Sequence, residues 1–127
     1  RQLDKIAGER KGSGQEVRLL AARRDILAEL GRSDEALLLA RQIVRLTPQD
    51  PEYQAHFHHV LSLAMLAARF SQNDLAMEQL EYYFTQPLPE DNINMIKVNP
   101  FFRSLLSHPR FLALTKKYPP DKPYVGT

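Results

Sequence analysis

Residues 31–51 read GRSDEALLLARQIVRLTPQDP, a stretch that contains one whole helix and the end of the helix before it. Gly31 can take the left-handed conformation that closes a helix. Ser33 is expected to cap the next helix, and the two acidic residues after it suit the positive end of the helix dipole. Apolar residues then recur at helical spacing until Pro48 interrupts them. The stretch therefore predicts two helices joined by a short turn.

Signals of the same kind extend this pattern in both directions. Towards the N-terminus, residues 15–30 predict a helix with an apolar stripe formed by Val17, Leu20, Ile26, Leu27 and Leu30. Towards the C-terminus, Asp50 and Pro51 are expected to start a third helix that runs to about residue 70. A polar turn at residues 71–74 and the proline at 87 bound a fourth helix. The sequence thus predicts two helical hairpins, residues 15–46 and 51–86.

The chain after Pro87 is divided by prolines, which exclude long helices. Short helices are predicted at residues 91–98, 101–107 and 109–118, and no segment alternates long enough to be a strand. The fold class is therefore predicted to be all-α over residues 15–118. Residues 1–14 are expected to be the end of an upstream helix plus a flexible glycine-rich linker, and residues 119–127 a proline-rich tail. A start without methionine or a signal-peptide core is expected of a fragment of a longer protein.

Composition and charge set further bounds. With 127 residues, of which 43% are apolar and 25% charged, the chain fits one globular domain. The sequence has no cysteine, which excludes disulfide frameworks and cysteine-based zinc or nucleophile sites. The apolar run at residues 60–68 is too short to span a bilayer, so no membrane role is predicted. Residues 25–96 hold four arginines against eleven acidic residues, between two basic segments, which favours contacts between oppositely charged patches.

The two predicted hairpins resemble the tetratricopeptide repeat. In the first, Ala36 follows Gly31 by five residues and precedes Ala40 by four and Pro48 by twelve. The second hairpin repeats the pattern around Ala76, with prolines on either side of the expected position. The two central alanines are forty residues apart, against thirty-four in the family, so about six additional residues are expected in the third helix. A pair of arginines at 23 and 24 departs from the family, which has leucine and glycine there.

The C-terminal segment carries a second resemblance. Asn99-Pro-Phe-Phe and His108-Pro-Arg-Phe are similar to a doubled Asp-Pro-x-Phe motif that closes many bacterial tetratricopeptide proteins, with Asn99 and His108 in place of the aspartates. Such tails resemble the C-terminal arrays found behind bacterial signalling and regulatory modules. The resemblance implies antiparallel hairpins stacked as a short right-handed solenoid, closed by short C-terminal helices that cap its last apolar face.

The same resemblance implies a non-catalytic module that binds a protein or peptide, or docks neighbouring domains of a larger regulatory protein. In the family, the first helix of each hairpin lines a concave groove that receives a partner segment. By this register, the groove candidates are Arg18, Asp25, Glu29, His58, Leu61, Met65 and Arg69. An apolar or mixed-charge segment is the expected partner. No cofactor is implied, and a cytoplasmic location is favoured.

Other interpretations stay open. The helices can instead form a structural domain or a homo-oligomer with no separate ligand. Glu52, His56 and His59 are spaced to share one helix face, a pattern that suits a zinc site or a pH-responsive contact. The C-terminal basic residues alternate with aromatic ones, as on a nucleic-acid surface, although the aromatics of the last helix share a stripe typical of a core. Because no nucleophile elbow, phosphate loop or dinucleotide fingerprint occurs, no enzymatic activity is predicted.

Overall fold

The computed structural model describes residues 14–47, 54–87 and 89–119, and these residues form seven helices and no strand. In chain order the helices are α1 (Gly14–Glu29), α2 (Ser33–Leu46), α3 (Gln54–Arg69), α4 (Asn73–Tyr83), α5 (Ile93–Val98), the 3-10 helix η1 (Pro100–Leu105) and α6 (Pro109–Lys117). The predicted all-α class is confirmed for this part of the chain. Three predicted features lie outside the described residues: the linker up to residue 13, the start signal at residues 50 and 51, and the tail after residue 119.

The chain divides into two compact units, one that ends at His59 and one that begins at Val60. In the first unit α1 packs along α2. The core side of α2 is formed by apolar residues at helical spacing, namely Ala36, Leu37, Ala40 and Ile43. From α1, only Val17 and Ala28 are fully buried.

The predicted apolar stripe of α1 is therefore wrong in part. Ile26 and Leu30 were expected to be buried, yet 61% and 66% of their surface is exposed. Successive residues of an α-helix are about 100° apart, so Ile26 lies about 200° around the helix from the buried Ala28. The line of residues through Val17 and Ala28 faces α2, and Leu20 and Leu27 of the predicted stripe are half-buried. Leu19, Ile26 and Leu30 lie on the opposite side.

The second unit is built around α4, which contacts both η1 and α6, while α5 contacts η1. Its largest fully buried side chains come from α3, α4 and every C-terminal helix: Val60, Leu63, Met77, Leu80, Phe84, Ile93, Ile96, Phe102, Leu105 and Phe111. The ring of Tyr118 stacks on that of Phe84 with centroids 5.5 Å apart. The hydroxyl of buried Tyr83 accepts a hydrogen bond from the Asp91 backbone N–H at 3.0 Å, which fixes the connection from α4 to α5.

The turns after α1 and after α3 close these two helices in the same way. One residue has a left-handed backbone, with φ +74° at Gly31 and φ +62° at Ser71. That residue and the next donate their N–H groups to carbonyls in the last helical turn, the Schellman arrangement. The donor and acceptor pairs are Gly31 to Ala28 (3.0 Å), Arg32 to Leu27 (2.9 Å), Ser71 to Ala68 (3.1 Å) and Gln72 to Ala67 (2.8 Å). The left-handed conformation predicted for Gly31 is confirmed. Ser71 adopts the same conformation at the equivalent position after α3.

The prediction that Ser33 caps α2 is wrong. The Arg32 carbonyl accepts the first helical hydrogen bond, from the Ala36 N–H at 3.0 Å, so Arg32 is the N-cap and Ser33 the first helical residue. The Schellman closure already turns the chain at Arg32, one residue earlier than the serine suggests. Gln72 takes the equivalent position before α4, and neither N-cap side chain makes a capping hydrogen bond.

The two C-terminal motifs, Asn-Pro-x-Phe and His-Pro-x-Phe, each start a helix and anchor it. Asn99 Oδ1 accepts a hydrogen bond from the Phe101 N–H at 3.0 Å, and His108 Nδ1 accepts one from the Arg110 N–H at 3.1 Å. A proline then occupies the first helical position, and a phenylalanine two residues later is buried. Asparagine and histidine thus accept the capping hydrogen bond that an aspartate can accept. The helix predicted at 101–107 is the 3-10 helix η1, which starts and ends earlier.

Candidate functional site

The groove candidates of α1 are accessible. Arg18, Asp25 and Glu29 are all exposed. Arg18 Nε donates to the Gly14 carbonyl at 3.3 Å, and Asp25 pairs with Arg24 Nε at 2.9 Å. These candidates are all charged, so on their own they offer no apolar surface to a partner.

The candidates of α3 differ in accessibility. Arg69 is exposed, whereas Leu61 and Met65 are half-buried. Residues 61, 65 and 69 are spaced at i, i+4 and i+8 and lie along one side of the helix. Arg69 Cζ lies 5.5 Å from the centroid of the Phe70 ring. His58 lies in the N-terminal part of α3, which belongs to the first unit, and it is exposed.

The second unit has a surface cleft of about 400 Å³ between α4 and α6 that the sequence did not indicate. Tyr82 of α4 and Leu114 of α6 are among its lining residues. At its edge, Arg110 donates through Nε and Nη2 to the two carboxylate oxygens of Glu81, and the Nε bond is 3.1 Å. The hydrogen bonds to Glu81 raise the pKa of Arg110 further above its ordinary value. Because this arginine is already held by a carboxylate, the pair fixes α6 on α4.

The histidines predicted as metal ligands are placed for packing. His56 is 1% exposed, and its Nδ1 lies 3.2 Å from the Thr47 hydroxyl oxygen. His59 Nδ1 is buried and has no hydrogen-bond partner. Glu52 lies outside the described residues. Within the described ranges, no group of three or more histidine, aspartate or glutamate side chains is placed to hold a metal ion.

Burial changes the titration of these histidines. It lowers the pKa of His59 below its ordinary value, and the charges of His58, Arg24 and His56 act in the same direction. Burial also lowers the pKa of His56, against the opposing effect of its hydrogen bonds to Thr47 and Val44. Both side chains therefore favour the neutral form in the folded protein.

The C-terminal aromatics mostly belong to the core. Phe102 and Phe111 are buried, and Tyr118 stacks on Phe84. Among the C-terminal aromatics that the structure describes, Phe101 is the exception, with 43% of its surface exposed. Since a stacking surface for bases needs several accessible rings near cations, this arrangement does not favour the nucleic-acid interpretation.

The sequence also missed a second surface feature, the outward side of α1. Leu19, Ile26 and Leu30 are 65%, 61% and 66% exposed, and their spacing of seven and four residues places them on one side of the helix. The helical spacing of these residues was the only signal for this side in the sequence. Such spacing shows that a helix has an apolar side, but it does not show whether that side is buried or exposed. None of the helices in the described ranges has the length and apolarity needed to cross a bilayer.

Comparison of the chain with family models, with curated proteins and with solved structures finds no match.

Proposed function

We propose that this chain is a non-catalytic protein-interaction module whose tetratricopeptide-like hairpins receive a segment of a partner protein, as the C-terminal end of an array in a larger regulatory protein. The observation that carries the proposal is the accessible side of α3. Leu61 and Met65 remain partly open to solvent one turn apart, while Val60, Leu63 and Ala64 beside them are at most 2% exposed. A helix that buries one side fully and leaves apolar groups accessible on another can bind a partner there.

The chemistry of this side indicates the partner segment. Methionine is unbranched and polarizable, so Met65 can adapt to different apolar side chains. Arg69 lies one turn further along the same side and is exposed. A segment that offers an apolar side chain followed by a carboxylate would match both groups. The charges of α1 contribute no apolar contact of this kind.

The non-catalytic part of the proposal is supported by the placement of the two histidines of the predicted metal group. His56 is buried against Thr47, and the buried Nδ1 of His59 has no partner that would activate it as a base. General acid–base catalysis needs such a group within hydrogen-bond reach of a substrate. Neither histidine is placed to supply one.

Peptides selected by display on the full chain provide the test. We expect Arg69→Glu and Met65→Gln each to weaken a selected peptide at least about tenfold, since each removes one contact worth on the order of 1.4 kcal/mol. Arg103→Glu is the matched control, because Arg103 is an exposed arginine on a different helix, η1. Binding measured by fluorescence anisotropy should change only in the first two variants, with the melting temperature unchanged. Equal affinity in all four proteins would reject this surface.

A structural or oligomerisation role is the second candidate. The observation that favours it is the outward side of α1, where three large apolar side chains are more than 60% exposed.

A further inference from the structure

The outward side of α1 is a surface that the proposed peptide site does not use. We call it the α1 stripe and define it as Leu19, Ala22, Ile26 and Leu30, which are all exposed and are spaced by three, four and four residues. Single exposed apolar residues are ordinary on protein surfaces, whereas an aligned group marks a contact. The stripe lies opposite the line through Val17 and Ala28 that packs on α2, so α2 does not cover it.

The charges beside the stripe have an unusual order. Arg18 and Glu29 are both exposed and are eleven residues apart, about three turns, so they lie on the same flank of the stripe. On this flank the order is the reverse of the one that the helix dipole favours, although α1 also carries Glu16 in its first turn, where the dipole favours an acidic residue.

We propose that two copies of this chain associate through the α1 stripe in an antiparallel, two-fold symmetric pair. A two-fold axis brings the N-terminal half of one α1 against the C-terminal half of the other. Arg18 of each copy then faces Glu29 of the other copy, so the same ion pair forms twice. Leu19 likewise meets Leu30 of the other copy. A parallel pair would instead bring opposite flanks of the stripe together, so Arg18 and Glu29 would not meet.

The size of the surface sets the strength of the association. Sixteen residues of α1 give an axis of about 24 Å, a single-helix contact. Stable interfaces bury about 800 Å² on each partner, more than one short helix provides. A monomer–dimer equilibrium that depends on concentration is therefore expected, and each copy folds on its own core.

Ile26→Lys tests the apolar part of the interface. Sedimentation velocity of the full chain over a range of concentrations should show dimer for the wild type and at least tenfold weaker association for the variant. Leu112→Lys is the matched control, because Leu112 is 50% exposed on α6 and belongs to the second unit. Conversely, Arg23→Leu is expected to strengthen association, since position 23 lies between Leu19 and Ile26 beside the stripe. Circular dichroism at low concentration should show unchanged folding in each variant.

Charge reversal tests the antiparallel arrangement. Arg18→Glu and Glu29→Arg should each weaken the dimer, and the double variant should return to within about threefold of the wild type. A double variant weaker than either single one would overturn the antiparallel arrangement. A wild type that stays monomeric at all concentrations, or a dimer that Ile26→Lys leaves intact, would overturn the proposal. None of these variants changes α3, so failure here is distinguishable from failure of the peptide site.

Discussion

Replacing Ser71 by glycine is expected to stabilise the protein. The backbone of Ser71 is left-handed, with φ +62°, and its side chain is exposed. Packing of the side chain therefore does not offset the cost of this backbone conformation. Gly31 fills the same position of the first hairpin turn at φ +74°. Each turn is closed by the same pattern of two backbone hydrogen bonds. The residue at the left-handed position is glycine in one turn and serine in the other, and glycine adopts this conformation without steric cost.

The size of the effect follows from two opposing terms. An L-residue in the left-handed conformation costs about 1–2 kcal/mol, which glycine avoids. Glycine gains more freedom in the unfolded chain, which offsets about 0.4–1 kcal/mol. Ser71→Gly should therefore raise the free energy of unfolding by about 0.5–1 kcal/mol. The reverse change Gly31→Ser should lower it by a similar amount, because a Cβ at Gly31 meets no atom within 4 Å and the cost is confined to the backbone.

Guanidinium unfolding followed by circular dichroism measures both changes, and a rise in melting temperature of about 2–5 °C should accompany Ser71→Gly. Ser107→Gly is the control, because Ser107 is an exposed serine in the turn after η1 whose backbone is not left-handed, so glycine has no advantage there. The reasoning is refuted if Ser71→Gly destabilises the protein, or if Ser107→Gly stabilises it equally.

Three further predictions concern single side chains. His108→Ala should lower the free energy of unfolding by about 1 kcal/mol in chemical unfolding because the Arg110 N–H loses its cap, whereas His108→Asn should keep most of it; equal losses would contradict the capping role. Tyr83→Phe should cost about 1 kcal/mol, because it removes the hydroxyl that accepts the Asp91 N–H, and hydrogen exchange should quicken at that amide; an unchanged exchange rate would argue against this contact. Burial lowers the pKa of His59 in the folded protein, whereas in the unfolded chain the ordinary value of about 6.5 applies. Below about pH 6.5 the unfolded state therefore binds more protons than the folded state. The free energy of unfolding should fall as the pH falls from about 6.5, by at most about 1.4 kcal/mol per pH unit. Thermal melts of His59→Gln should show a weaker decline over this range, and an identical pH profile would exclude His59 as its source.

Local signals in the sequence determined the helices. Gly31, the polar turn at residues 71–74 and the prolines after α4 bound these elements because they act on the backbone within a few residues. The C-terminal motifs were predictable for the same reason, since a capping side chain, a proline and a buried phenylalanine all lie within four residues. The predicted cap at Ser33 failed because the preceding Schellman turn had already placed Arg32 there.

Tertiary structure alone decided which apolar residues are buried and which distant residues meet. Periodicity predicted a single apolar stripe on α1 that included Ile26, but only packing against α2 selected the side of Val17 and Ala28. The pairing of Glu81 with Arg110, twenty-nine residues apart, likewise depends on α6 lying on α4. Burial depends on contacts between residues far apart in the chain, which a local pattern does not specify. For that reason the positions of the helices could be predicted from the sequence, while the accessible surfaces of α1 and α3 were defined only by the folded structure.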